Sequence, residues 1–214
     1  MKKKSYIFDL DGTLIDSVLG ISASANYAIN EITGEKSAID FRPFIGPSIK
    51  TIFSNVLNLN DISKLDKLEG IFRKHYNDIG WRESKLYEGV YTVLNQLYKN
   101  KYDLYILTNK PLIPTNKILE FCNINFLFKD IMTPDRLNIH IKNKSEMALV
   151  LVENNAISGS IYLIGDSIDD QHAAEVIKAK FLVASYGYGG ICKNEINQLN
   201  FLESFLDITR HINL

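Results

Sequence analysis

The chain has 214 residues, 46% of them hydrophobic and 23% charged, with a formal net charge of −1. That length suits one large domain or a core with a smaller insert. The near-neutral balance leaves no electrostatic case for binding nucleic acid or a membrane surface.

The basic start, Lys2-Lys3-Lys4, is followed by too few apolar residues before Asp9 for a signal peptide or a spanning helix. The cysteines, Cys122 and Cys192, lie far apart without metal-ligand spacing. This predicts a reduced, cytoplasmic protein with buried thiols.

Residues 6–10 read as a short buried strand that runs into Asp9-Leu10-Asp11-Gly12-Thr13. Residues i and i+2 of a strand share a face, so Asp9 and Asp11 are expected side by side. Two carboxylates that close repel unless a cation sits between them or one turns away. A divalent metal is the direct resolution.

From Asp16 to about residue 80 the pattern is helical. Val18, Ile21, Ala25, Ala28, Ile29 and Ile32 keep a three-to-four spacing that Gly34 stops. Pro47 is expected in the first turn of a helix carrying Ile49, Ile52, Phe53, Val56 and Leu57. A third helix runs through Leu65, Leu68, Ile71, Phe72, Tyr76 and Ile79, with Gly80 as its stop.

Beyond residue 87 strands and helices alternate. Strands are expected at Tyr102–Leu107, Asp130–Met132, Ile161–Ile164 and Phe181–Ala184. Helices are expected at Val90–Tyr98, Pro114–Phe121, Ser145–Glu153 and Asp170–Ile177, and a last one near Asn200–Arg210. Such alternation implies a parallel sheet covered on both faces. The expected architecture is an α/β, Rossmann-like parallel-sheet core (1–15 and 84–214) with an inserted all-helical cap domain (16–83).

The chemistry-bearing residues fall after predicted strands, on the edge where open α/β sheets bind ligands. The first station is Asp9, Asp11 and Thr13. The second is Thr108-Asn109-Lys110, whose hydroxyl and amide suit phosphate oxygens, although the run also reads as a helix cap ahead of Pro111. The third is Lys144, which the dipole of its helix disfavours; neutralising a phosphoryl group is one reason for it to be there, and Lys142 competes for the role. The fourth is Gly165-Asp166-Ser167-Ile168-Asp169-Asp170, in which Asp166 points toward a metal beside Asp9.

In this order the stations resemble the motifs of the haloacid dehalogenase superfamily, in its phosphoglycolate phosphatase-like branch with a type 1 helical cap. Ile45-Gly46-Pro47 resembles a substrate-side loop of that cap. Tyr186-Gly187-Tyr188-Gly189 is similar to the branch's Gly-rich turn after the last core strand. No proline follows the third-motif lysine, but Lys144-Ser-Glu-Met resembles another variant of the branch.

The resemblance implies a Mg²⁺-dependent phosphatase acting on a small-molecule phosphate ester, as a monomer or homodimer. Asp9 would be the nucleophile and Asp11 the general acid and base, with Thr108 and Lys144 holding the phosphoryl group. Gly12, Thr13, Asn109 and Gly46 would contact substrate. Asp9, the backbone carbonyl of Asp11, and Asp166 would hold the metal, with Asp170 orienting its waters or anchoring Lys144. Arg42, Ile45, Gly46, Arg73 and His75 are candidates for selecting the leaving group. A phosphomutase of the β-phosphoglucomutase type would use the same stations. A phospho-receiver module would share the residue types but lack the helical insert.

Overall fold

A computed structural model describes residues 4–136, 143–191 and 200–211. Cys192 and Lys142 fall outside them, and Cys122 is half-buried rather than buried.

The core is a six-stranded sheet in the order β5-β4-β1-β6-β7-β8, every neighbouring pair parallel. Its strands are β1 (Lys4–Phe8), β4 (Asp103–Leu107), β5 (Asp130–Met132), β6 (Ser160–Gly165), β7 (Lys180–Ala184) and β8 (Phe201–Leu202). Between them run α4 (Val90–Lys99), α5 (Leu112–Phe121), α6 (Lys144–Asn154) and α7 (Ile168–Val176). The fold is thus α/β and Rossmann-like.

Strand alternation divides the interior into two layers. Tyr6 and Phe8 join Val93, Leu97, Ile118 and Phe205 on one face, while Ile7 joins Leu107, Met147, Leu151, Leu163 and Ala173 on the other. Burying both faces explains why the strands are nearly continuous apolar runs.

The segment between the first strand and α4 has its own core. Helices α1 (Val18–Thr33), α2 (Ile49–Leu57) and α3 (Ile62–Asp78) pack Ile21, Ala25, Ile52, Phe53, Leu68 and Phe72 together. Phe53 meets Phe41 and Phe72 edge-on, the geometry that ring quadrupoles favour. Gly20 of α1 lies against the chain at Gly80, where a Cβ would stand 2.0 Å from the Gly80 carbonyl oxygen. The two crossings between sheet and helices are themselves paired: β2 (Ile15–Asp16) runs antiparallel to β3 (Lys85–Leu86).

Four local expectations are corrected. The first strand ends at Phe8; Asp9 extends its pairing by one main-chain bond and Asp11 lies in the turn beyond, so the two are not side by side on its face. Pro47 precedes α2; Ser48 is the N-cap, and its hydroxyl accepts from the Thr51 amide. Gly80 does not cap α3 but opens a short 3-10 turn, Gly80–Glu83, with Ile79 at the cap. The last segment is not an α-helix: Phe201–Leu202 adds a parallel edge strand, and Phe205–His211 is a 3-10 helix.

Candidate active site

The centre of the sheet is its topological switch point, with β1 flanked by β4 and β6. Connections leave the strand ends in opposite directions there and open a crevice. The cleft at that position is lined by Asp9, Asp11, Thr108, Asn109, Lys144 and Asp166 from the sheet side, and by Ile45, Gly46, Ile49, Phe72 and Arg73 from the helical side.

Asp9 continues β1 by one residue, its amide donating to the Ile164 carbonyl at 2.9 Å. Its side chain is buried and meets Lys144 Nζ at 2.6 Å. The same ammonium lies 2.7 Å from Asp170 Oδ1. Lys144 is the first residue of α6 and almost fully enclosed, at 4% exposure. These two carboxylates offset the unfavourable helix end. Burial works against the Lys144 ammonium, but Asp170 and Asp9 more than reverse that and hold its pKa above the ordinary value.

Asp170 is oriented by a capping box. The Ser167 amide donates to Asp170 Oδ2 at 3.1 Å, and the Ser167 hydroxyl accepts from the Asp170 amide. That leaves Oδ1 for Lys144. Gly165 is required by close approach, because a Cβ there would lie 2.2 Å from the Asp170 carboxyl carbon.

Asp166 follows β6 and faces Asp9. Both the Tyr188 and Gly189 amides donate to its Oδ2, at 2.6 and 3.1 Å. Among the described residues Asp9, Asp166 and Asp170 form a buried group whose ligand oxygens lie within 4.8 Å of one another. One ammonium does not neutralise three carboxylates. Burial, and then the charges of Asp170 and Asp166, push the Asp9 carboxyl well above its usual range despite Lys144. Burial and Asp170 push Asp166 up to about 7 against the two amides. An all-oxygen, anion-rich, enclosed set fits a hard divalent cation. The Asp11 carboxylate takes no part in that group.

Asp11 instead belongs to a second arrangement. Lys110 Nζ lies 2.8 and 2.9 Å from its two oxygens, and the Ser17 hydroxyl donates to Oδ1. Lys110 is buried beneath the Tyr76 ring of α3, 4.7 Å from the centroid. The sequence reading placed Lys110 beside Thr108 and Asn109 but gave it no role; its position directly after them at a strand end was the available signal.

The remaining candidates are placed as follows. Thr108 is buried and its hydroxyl accepts from the Lys110 amide at 3.2 Å. Asn109 Nδ2 donates to the Gly46 carbonyl at 3.1 Å, joining the sheet side of the cleft to the helical side. Gly12 has φ +81°, and a Cβ on it would meet Asp166 Oδ2 at 2.2 Å, so it serves close packing beneath Asp166. Thr13 is fully buried, and its hydroxyl has no hydrogen-bond partner among the described residues. Neither Gly12 nor Thr13 lines the cleft. Arg73 lines it with Nε and Nη2 on Glu69. His75 turns away, stacked on Tyr27 and bonded to Ser24. Arg42 sits over the Tyr188 ring.

A parallel sheet that brings a buried carboxylate, an enclosed lysine and further aspartates together at its switch point, under a separate helical layer, defines a Rossmann-like α/β protein with an enclosed, carboxylate-rich site at its strand ends. The model of the haloacid dehalogenase-like hydrolase family matches residues 6–184, and the chain belongs to that family. It is 28% identical to a phosphoglycolate phosphatase of Psychrobacter arcticus, over 98% of this chain and 94% of that protein. It is 27% identical to a phosphoglycolate phosphatase of Aliivibrio fischeri, covering 86% and 85%.

Among solved structures, one described as a predicted phosphatase from Clostridium acetobutylicum superposes with a TM-score of 0.77 at 26% identity, covering 88% and 87% of the two chains. A haloacid dehalogenase-like family hydrolase from Streptococcus pneumoniae shares the fold, with a TM-score of 0.82 at 22% identity over 98% of each chain. No helix among the described residues is long and apolar enough to cross a membrane.

Proposed function

We propose that the protein is a Mg²⁺-dependent phosphatase that hydrolyses a small organic phosphate monoester through a phosphorylated Asp9. The observation that carries this reading is the placement of Lys144 Nζ between Asp9 and Asp170, beside Asp166. That arrangement gives a nucleophile, a fixed cation and a metal-binding carboxylate group within one enclosure.

When bound by Asp9, Asp166 and the main-chain carbonyl of Asp11, with Asp170 beside them, a divalent cation would supply charge neutralisation between the nucleophile and an anionic substrate. The protein's own groups do the rest. One Asp9 carboxylate oxygen attacks phosphorus, the bond from phosphorus to the ester oxygen breaks, and Asp11, protonated at the outset, gives that oxygen its proton and is left as the carboxylate that pairs with Lys110. Asp11 then accepts a proton from water as the water attacks phosphorus, releasing phosphate and restoring the Asp9 carboxylate. Splitting the displacement in two is the advantage of a covalent intermediate. The Asp11 proton transfers supply general acid–base help typically worth ~10²–10⁴ in rate.

Thr108 and Lys144 hold the phosphoryl oxygens, and positioning with charge stabilisation dominates phosphoryl transfer. We assign residues 16–83 as a cap over a core of 1–15 and 84–214, with Gly46, Ile45 and Arg73 facing the leaving group and excluding water. The ligand is a small phosphate ester, and a cytoplasmic setting accords with the sequence reading. Phosphoglycolate is the first substrate to test, because relatives at 27–28% identity carry that name.

The test is phosphate release from phosphoglycolate, sugar phosphates, nucleoside monophosphates and an aryl phosphate, with Mg²⁺ and with EDTA. Release from at least one ester with Mg²⁺, silenced by EDTA, is expected. Metal-independent turnover contradicts the role of Asp166. Turnover that needs an activating bisphosphate identifies a phosphomutase instead.

A further inference from the structure

The Gly-rich turn after β7 has no part in the chemistry above, yet it touches both Asp166 and the crossing to the helical layer. Its backbone is pressed onto Asp166. A Cβ at Gly187 would lie 2.5 Å from Asp166 Oδ2, and one at Gly189 would lie 2.0 Å from the Asp166 carbonyl oxygen. Only glycine permits that approach, and it is what delivers the Tyr188 and Gly189 amides to one oxygen of Asp166. The carboxylate is fixed through Oδ2 and has Oδ1 to offer.

The side chain of Tyr188 reaches the other way. Its phenol donates to Asp16 Oδ1 at 2.8 Å and accepts from the Ser17 amide at 2.9 Å. Asp16 closes the two-residue ribbon with Lys85, its Oδ1 also accepts from the Val18 amide at 3.1 Å, and Ser17 stands at the N-cap position of α1 without a side-chain cap bond. The ring packs against the helical cluster, and the Arg42 guanidinium covers it 5.7 Å from its centroid. One residue therefore bonds a metal-binding carboxylate through its main chain and, through its side chain, the hinge, that is, the crossing at Asp16 and Ser17.

We propose that Tyr188 is a positioning residue that couples Mg²⁺ occupancy at Asp166 to the order of the hinge at Asp16 and Ser17. The inference rests on the metal reading given under Proposed function. The hinge bonds hold the turn in register, and the turn holds Asp166. Coupling between two sites is reciprocal, so Mg²⁺ binding in turn steadies the hinge.

The experiment is calorimetric titration of Mg²⁺ alone into metal-free protein, paired with amide hydrogen exchange over residues 15–18 with and without Mg²⁺. Tyr188→Phe keeps the ring and both amides but removes the phenol. Its Mg²⁺ affinity is expected to fall about 3- to 10-fold, just below the ~10–100-fold that outer-shell partners of metal ligands command. Mg²⁺ is expected to slow exchange at Ser17 in the wild type and not in the variant. Asp16→Ala, which removes the far acceptor, is expected to reproduce the loss, whereas Asp16→Asn keeps an acceptor oxygen and stays within twofold of the wild type. If Tyr188→Phe does not fold, Asp16→Ala against Asp16→Asn makes the same comparison. Mg²⁺ affinities of Tyr188→Phe and Asp16→Ala within twofold of the wild type overturn the coupling and leave Tyr188 a hinge strut. Failure of the wild type to bind Mg²⁺ is a different result, and it overturns the metal reading itself.

Discussion

Lys110 Nζ grips both carboxylate oxygens of Asp11, at 2.8 and 2.9 Å, across 99 positions of chain. Burial opposes the Lys110 ammonium, but Asp11 more than compensates, and the lysine pKa is held above its ordinary value. The clamp fixes the direction in which Asp11 presents its oxygens to the cleft. It also sits beneath Tyr76, so the group assigned to proton transfer touches the helical layer through one intermediary.

Lys110→Met removes the clamp with little change in volume. Breaking a buried ion pair from one side costs about 3–5 kcal/mol; Asp11 retains Ser17 and some access to water, so the lower end is expected. The turnover number should fall within the ~10²–10⁴ range that general acid–base help is worth, while KM changes little. Steady-state kinetics on an aryl phosphate together with thermal unfolding separates the two effects. Unchanged turnover in a folded variant shows that Asp11 needs no clamp.

Asp9→Asn deletes the nucleophile at nearly constant volume. Turnover is expected to drop by about 10³-fold or more, as for other nucleophile deletions. Stability of the metal-free protein should hold or rise, because the substitution replaces an ionisable carboxyl that burial, and then the charges of Asp170 and Asp166, disfavour in its charged form. Phosphate release and melting temperature measured on the same preparation check both halves.

The metal-free protein should lose stability as pH rises. The carboxyl of Asp166 is held at about 7 in the fold, against about 4 for an unperturbed aspartate. The folded state thus binds this proton more tightly than the unfolded chain does. The resulting stabilisation is complete below about pH 4 and is lost as pH climbs through about 7. Melts in EDTA between pH 5 and 8 should show the melting temperature falling by several degrees, and Mg²⁺ should restore more of it at pH 8 than at pH 5. A flat profile would remove the electrostatic basis for a cation beside Asp166.

Gly20→Ala tests the helical layer alone. The new Cβ would stand 2.0 Å from the Gly80 carbonyl oxygen, so α1 must move away from the chain at Gly80. Overpacking of this kind typically costs about 1–3 kcal/mol, which urea unfolding would resolve.

Much of this was legible in the residues. The apolar runs that became β1, β4, β6 and β7 are buried on both faces, so composition alone marked them. The helices of 18–78 kept their period because one stripe of each faces a shared core. Short elements were not legible: Phe201–Leu202 makes a strand only because β7 leaves an edge to pair with, and two residues carry no periodicity. Pro47 lies two positions before the first helical residue, Ile49, because Ser48, a better cap, follows it.

At the site, Asp9, Thr108 and Asp166 stand out as polar residues after apolar runs, and Lys144 as a lysine at a helix start that the helix dipole disfavours. Their partners did not. Lys110 reads as a loop lysine until the fold sets it against Asp11. Tyr188 reads as part of a glycine turn until its phenol is found 2.8 Å from Asp16. Sequence marks which strand ends carry polar residues; bonds such as those from Lys110 to Asp11 and from Tyr188 to Asp16, across 99 and 172 positions, arise only on folding.

The most direct test of Asp9 as the covalent nucleophile is acid quenching during turnover with Mg²⁺, followed by peptide mapping by mass spectrometry. One phosphoryl group on the peptide that contains Asp9, absent from Asp9→Asn and from EDTA-treated enzyme, is the expected result. A turning-over enzyme with no phosphorylated peptide, or with the label on another residue, would contradict it.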